Sequence, residues 1–458
     1  MRTSRQMSFD HALVGLHGYL LDAPTFGALR SRVDGALILD GSRIIEVGEY
    51  ELLRKRHPAN TIRWRHFPGC VLLPGLIDLH THLPQYPAVA HGEEELLPWL
   101  RRFIFPFERD FTGPRAKREC PLFFQELARH GTTTAMVYSA IFEDSCDVAF
   151  EHGLASGLRL IIGKSMMDVA SYGTTQPRKI VSISLLESER LCAKWHGADE
   201  GRIEYAFSPR FAVACTEKLM RGAAELAEKY GAYVQTHLAE SREELEKVRH
   251  LFMWSKDYAH VYETCGLLNP RAVLGHAIHL TDIEIQRVAA GGAAVAHCPS
   301  SNLFLGSGIM PFDRLHAAGI RIGLGSDVAA GPELNMWQVM RSAVESQKMR
   351  AYYESLTRTL RPVEAFYLAT TGGAAALGKQ EVIGRFEKGL EADILAMNIH
   401  SLLPYRPASR TAPIPSELTP EDLIALLVYR GGPHAVLESM VRGRTVYAAP
   451  QPSLFDPA

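Results

Sequence analysis

Eight short apolar runs, spread over residues 71–325 and separated by stretches of helical character, constrain the fold of this chain more than any other feature. They are Val71–Leu79, Thr132–Tyr138, Leu158–Gly163, Ile203–Phe207, Ala232–His237, Ala272–His276, Ala293–His297 and Ile320–Gly325. Short apolar runs bounded by turn signals suit strands covered by helices on their faces. The segments between them carry helix punctuation. Thr216 precedes EKLMRGAAELAEKY, which halts at Gly231. Ser241-x-x-Glu244 and Thr281-x-x-Glu284 follow the pattern in which the N-cap residue and the third helical residue bond each other reciprocally. Such strand–helix units predict an α/β fold, a (β/α)8 TIM barrel over residues 71–375. An open doubly wound sheet is the competing architecture. Gly306-Ser307-Gly308 does not follow a strand as a dinucleotide-binding turn must, so it lends that alternative no support.

The flanking segments read differently. Residues 1–70 and 376–458 alternate apolar and polar residues between breaks such as Asp34-Gly35 and Asp40-Gly41, which suits antiparallel strands. A small β-sandwich domain assembled from both termini accounts for them together. A chain of 458 residues is long enough for such a domain beside a barrel. The net charge of −2 shows no electrostatic footprint for nucleic acid or an anionic membrane surface. No apolar run reaches the roughly 18 residues of a membrane span. The first residues, MRTSRQMSFDHALVG, lack the apolar segment of a signal peptide. Seven cysteines without CxxC spacing read as reduced thiols in a cytoplasmic protein.

In a barrel of this type, chemistry gathers at the C-terminal ends of the strands. The first run ends in His80-Thr81-His82, and alternate residues of a strand face one way, so two imidazoles are offered to one spot. The fifth ends in VQTHLAE, with His237 and Glu240; the sixth in VLGHAIH, with His276; the eighth in IGLGSDVAAG, with Asp327. Each has an ordinary explanation singly, as a capping or core group. Together they form a donor set for one divalent cation with a position left open for water. A bridged pair of metals needs a further anionic ligand from the fourth strand, and that strand ends Phe207-Ser208-Pro209-Arg210, where arginine cannot ligate. One metal is therefore expected. Glu240, just past the strand end, is placed for acid–base work without being a ligand; its ordinary alternative is a first-turn helix carboxylate. Gln85 and Arg210 offer donors suited to a lactam edge, and Phe211 a face for ring stacking. Trp99 is expected as pocket wall. His297, Ser300 and Asn302 read as loop-ordering or pocket-lining residues, and His91 and His279 carry no assignment.

The segments PGLIDLHTHLPQY, LLPWLRRFIFPFE, SPRFAVACTEKLM, QTHLAESREELEKV, HCPSSNLFLGSG, IGLGSDVAAG and LATTGGAAALG resemble the amidohydrolase superfamily, in its mononuclear metal-dependent deaminase branch. PQY, the WL…FPFE segment and SPRF are similar to the guanine deaminases within it. Met166–Lys179 and Gly331–Met336 match only loosely, where discrimination between substrates is built. The resemblance implies zinc held by His80, His82, His237 and Asp327, with Fe2+ or Mn2+ as alternatives, and His276 close by as an orienting group. It implies substrate contacts from His82, Gln85, Arg210, Phe211, His237, Glu240 and Asp327, and catalytic roles for Glu240, His276 and Asp327. The implied substrate is a small purine, and the implied assembly a homodimer. Deamination of 8-oxoguanine, a pterin or an aminotriazine is the neighbouring expectation. A non-catalytic binding protein on the same fold is the alternative from another class.

Overall fold

The computed structural model describes residues 13–58, 61–92, 95–169, 177–356, 358–405 and 409–450. Most of the N-terminal stretch considered above for a signal peptide, and residues 170–176 of the loosely matching segment, lie outside the described residues. Four strands come first: β1 (Leu13–Thr25), β2 (Ala28–Asp40), β3 (Arg43–Glu49) and β4 (Ile62–Pro74). The barrel follows with β5 (Leu76–His82), β6 (Thr132–Ser139), β7 (Arg159–Met166), β8 (Ile203–Pro209), β9 (Tyr233–Leu238), β10 (Ala272–His276), β11 (Ala294–His297) and β12 (Ile322–Leu324). The chain ends with β13 (Ile394–Asn398), β14 (Val436–Val441) and β15 (Arg444–Ala448).

Strands β5 to β12 pair in parallel in sequence order. The seam between β12 and β5 is joined just beyond the strand ends. There Asp327 N–H donates to His80 C=O at 2.7 Å and His82 N–H to Val328 C=O at 3.2 Å. Ile77, Leu79, Met136, Ile161, Val273 and Ala296 fill the barrel interior, while a larger apolar layer packs the strands against the helices. The expected helix signals are realised. Ser241 and Thr281 accept from the backbone N–H groups of Glu244 and Glu284, and both capping boxes close. Each such cap is worth about 1 kcal/mol. Gly231 ends its helix in the left-handed region, at φ 61°, where a residue without Cβ fits at least cost.

The apolar run Val71–Leu79 turns out to contain two strands. Val71–Pro74 completes β4 of the small sheet, and the barrel begins at Leu76, beyond the expected boundary of residue 71. Gly75 makes the transfer: a Cβ there would lie 2.1 Å from Thr133 Oγ1, so only glycine passes this close to β6. The expected small domain built from both termini is one continuous ladder, ordered β15-β14-β13-β4-β1-β2-β3. The physical reason is β4, which pairs with β1 on one side and β13 on the other, fusing the contributions of the two termini. The ladder curls, so that Ala392 N–H reaches Ser42 C=O at 2.8 Å and Leu16, Leu37, Ile394 and Met440 share one core. The C-terminal segment also contributes a helix, Pro420–Arg430, which packs on the helices Met336–Tyr353 and Pro362–Leu368.

A buried ionic clasp joins the two parts. Arg159, at the start of β7 and 1% exposed, donates to Asp393 at 3.0 Å and Glu391 at 2.6 Å, and Arg442 donates to Glu391 at 2.8 Å. No described helix is long and apolar enough to cross a membrane.

Candidate metal centre and substrate pocket

The tips of β5, β9 and β10 and the residue three beyond β12 bring His80, His82, His237, His276 and Asp327 together, all buried. His80 and His82 Nε2 lie 3.2 Å apart, and His82 and His237 Nε2 3.3 Å. Asp327 Oδ1 is 3.2 Å from both His80 Nε2 and His82 Nε2. Ligand atoms at zinc distances around a tetrahedral centre are separated by about 3.3–3.4 Å. These four edges thus fit a single small cation. His80, His237, His276 and Asp327 also have ligand atoms within 4.8 Å of one another, so two overlapping donor sets exist. The edge lengths favour the set with His82: His276 Nε2 is 3.7 Å from Asp327 Oδ2.

Sequence positions around the cluster serve it. A Cβ at Gly275 would stand 2.9 Å from His80 Cε1, and one at Gly325 2.7 Å from His80 Cβ. These two glycines leave the space that the first imidazole occupies. His237 Nδ1–H donates to Arg210 C=O at 2.6 Å, and His276 Nδ1 faces Asn302 Oδ1 at 2.9 Å. Because a carbonyl only accepts, each contact puts the ring proton on Nδ1 and leaves the Nε2 lone pair facing the centre. Burial brings the His82 imidazole down to about 4 and, with the neighbouring His80, holds His237 well below its usual range. Neutral imidazoles are the form that binds metal. Burial alone would raise the Asp327 carboxyl; hydrogen bonds from His80 and His82 instead hold it well below its usual range. Asp78 fixes this corner by accepting from His80 N–H at 3.1 Å, Ser326 N–H at 2.9 Å and Ser326 Oγ–H at 2.6 Å.

Glu240 is 2% exposed in the pocket wall. Its Oε2 lies 3.3 Å from His276 Nε2, and Ser307 Oγ–H donates to its Oε1 at 3.4 Å. Burial, reinforced by the charge of Asp327, pushes its carboxyl well above the usual range. Glu240 is not spent on capping: Ser241 caps the helix that follows, and the Glu240 carboxylate faces His276 and Ser307 instead.

A pocket opens beside the cluster, bounded by His82, Gln85, Arg210, Phe211, His237, Glu240 and Asp327 and walled by Leu96, Trp99, Leu100, Leu305 and Ala330. Trp99 is held by its Nε1–H, which donates to His91 C=O at 2.8 Å. The sequence reading missed Glu108. Its carboxylate accepts from Arg210 Nη1 at 2.5 Å and from Gln85 Nε2 at 2.8 Å. Asn302, expected to order a loop or line the pocket, sets the His276 tautomer, and His279 Nε2 meets Ser307 C=O at 2.8 Å. Ser300 points elsewhere, donating to Ser342 at 3.1 Å. His297 lies outside the five-residue cluster; it is 1% exposed, and burial pushes it down to about 3.

The sequence profile of the amidohydrolase family matches residues 71–446. The chain is 33% identical to guanine deaminase of Escherichia coli (strain K12) over 454 residues, covering 96% of this chain and 99% of that one. Its fold superposes with a TM-score of 0.87 on guanine deaminase from Bradyrhizobium japonicum, at 28% identity, over 96% of this chain and 100% of the other. It also superposes with a TM-score of 0.86 on guanine deaminase from C. acetobutylicum with guanine bound in the active site, at 28% identity, over 95% and 100% of the two chains.

Proposed function

This chain belongs to the amidohydrolase family, and we propose that it hydrolyses guanine to xanthine and ammonia, with one zinc ion held by His80, His82, His237 and Asp327. The observation that carries the metal reading is the close spacing of those donors, four of whose separations are 3.2–3.3 Å. The substrate reading is supported by similarity to guanine deaminases over nearly the whole chain, one of them with guanine bound.

Guanine presents an amidine-like carbon, C2, bearing an exocyclic amine. Water alone is too weak a nucleophile for it at neutral pH; a divalent cation in this site supplies the remedy, lowering the pKa of water from 15.7 to about 7. Asp327 is placed to accept the proton that the nucleophile gives up, and His276, its Nε2 turned inward, to orient that nucleophile. Glu240 is placed to deliver a proton to the ring nitrogen as C2 becomes tetrahedral. It then recovers a proton from the attacking oxygen and passes it to the departing amine. Help of this kind contributes roughly 10²–10⁴-fold. Gln85 and Arg210 meet the lactam edge, and Phe211 and Trp99 close over the ring. Seven buried free thiols suit a reducing compartment. The cytoplasmic location and homodimer implied by the sequence resemblance belong to the same proposal.

The test is ammonia release from purified metal-loaded protein across guanine, 8-oxoguanine, pterin, cytosine and melamine. Guanine is expected to have the highest kcat/KM. A preference for another ring would overturn the substrate, and no release from any would overturn the activity.

A further inference from the structure

Glu108 is a buried carboxylate for which the reaction above has no use. It lies on the short helix Phe105–Arg109, directly after the π-helical turn Leu100–Ile104, and is 2% exposed. Both its oxygens accept from Arg210 Nη1, at 2.6 and 2.5 Å, and its Oε1 also accepts from Gln85 Nε2 at 2.8 Å. The Gln85 oxygen in turn accepts from Ala329 N–H at 3.3 Å. Arg210 is further held over the Phe105 ring, 5.4 Å from its centroid. One carboxylate therefore grips the two polar side chains assigned to the lactam edge of the substrate.

We infer that Glu108 sets the net charge of the ring-recognition end of the pocket and so restricts the site to neutral lactam rings against anionic ones. The inference rests on Gln85 and Arg210 being ring contacts. A buried guanidinium without a counter-charge attracts anions, because an anion relieves the cost of burying it. Paired with Glu108, the same guanidinium presents directional N–H groups and no net charge. A neutral lactam carbonyl needs only a donor. A deprotonated ring would bring a second negative charge next to Glu108, which costs it affinity. The consequence reaches the product. Exchanging an amine for an oxo group turns an amidine into an imide-like N–H, which is more acidic, so the arrangement that accepts the substrate disfavours the ionised product and speeds its departure. Glu108 also fixes the Gln85 amide, nitrogen towards the carboxylate and oxygen towards Ala329. It is a positioning residue and touches no reacting atom.

The experiment compares metal-loaded wild type with Glu108→Gln. It reads guanine kinetics and, by calorimetry at neutral pH, the binding of hypoxanthine, a neutral lactam, and of urate, a monoanion. Glu108→Gln is expected to raise KM about tenfold with kcat changed less than about threefold, to weaken hypoxanthine, and to tighten urate about tenfold. Adding Arg210→Gln to that variant removes both charges and is expected to abolish the gain in urate affinity. Urate binding unchanged or weakened in parallel with hypoxanthine overturns the inference, because a merely structural role moves both alike. Should Glu108→Gln not fold, Glu108→Asp carries the test: a loosened pair is expected to tighten urate about threefold, and an unchanged value overturns the inference. Failure of the guanine reading is separable. It would appear as wild type without guanine turnover while the urate difference between variants persists.

Discussion

Asp327 N–H donates to His80 C=O at 2.7 Å, across the seam where the last barrel strand meets the first. Two of the four expected metal donors are thus the two sides of the barrel closure. The His80 and Ser326 backbones are both pinned by one carboxylate, that of Asp78. Burial pushes this carboxyl up to about 6, against the pull of the Ser326 hydrogen bonds.

That dependence is testable at Ser326. Ser326→Ala removes the 2.6 Å hydroxyl bond to Asp78 without changing the backbone. A buried acceptor losing a donor costs about 1–3 kcal/mol, and the support of a metal ligand is worth about 10–100-fold in metal affinity. Chelator competition should show zinc affinity lowered within that range, and thermal unfolding should show a lower Tm. Affinity equal to wild type would mean that the seam does not position Asp327.

His82 and His276 compete for the fourth corner of the donor set, and their variants should separate. His82→Ala opens edges of 3.2 and 3.3 Å to three other donors and is expected to drop bound metal well below one ion per chain. His276→Ala is expected to keep the metal and lose about 10²–10³-fold in kcat, as an orienting group does. Metal analysis beside steady-state kinetics checks both. The reverse pattern would give the fourth corner to His276.

The strand tips were legible because each ends an apolar run in a residue with ligand chemistry: His82, His237, His276 and Asp327 needed only the barrel hypothesis to be placed together. The joint within Val71–Leu79 was not legible, because a small-sheet strand and a barrel strand are equally apolar. Only the contact of Gly75 with Thr133 marks the change. Glu108 was missed for a different reason. Its partner Arg210 is 102 residues away, and no local pattern distinguishes a helix-surface glutamate from one folded inward onto an arginine. The tie of Asn302 to His276 was not legible either, since it depends on the segment after β11 facing the tip of the neighbouring β10.

The clasp between barrel and small sheet makes an acid-stability prediction. Burial alone would raise the Glu391 carboxyl, but Arg159 and Arg442 hold it below its ordinary value of 4.5. A depressed carboxyl stabilises the fold fully above its unfolded value and loses that contribution as pH falls through the folded one. Glu391→Gln should therefore unfold more easily at pH 7, by about 3 kcal/mol for a broken buried pair. The gap to wild type should narrow below about pH 4.5. Denaturant titrations at pH 7, 5 and 3.5 test this; a gap that does not change with pH would assign the loss to packing instead of charge.

Glu240→Gln isolates acid–base chemistry from metal binding. The amide keeps the size and the hydrogen-bonding reach to Ser307 Oγ, so the pocket should persist, and no metal donor is lost. What disappears is the ionisable carboxyl, whose pKa burial and the Asp327 charge raise. Zinc content should stay at one per chain, KM should change little, and kcat should fall about 10²–10⁴-fold, the usual share of general acid–base help. The pH profile supplies the second half of the test. In wild type the rate should decline on the alkaline side as Glu240 loses its proton, and the residual rate of Glu240→Gln should lack that limb. A variant that kept both near-normal kcat and the alkaline limb would move the proton-transfer role from Glu240 to His276 or Asp327, the other inward-facing groups of the mouth.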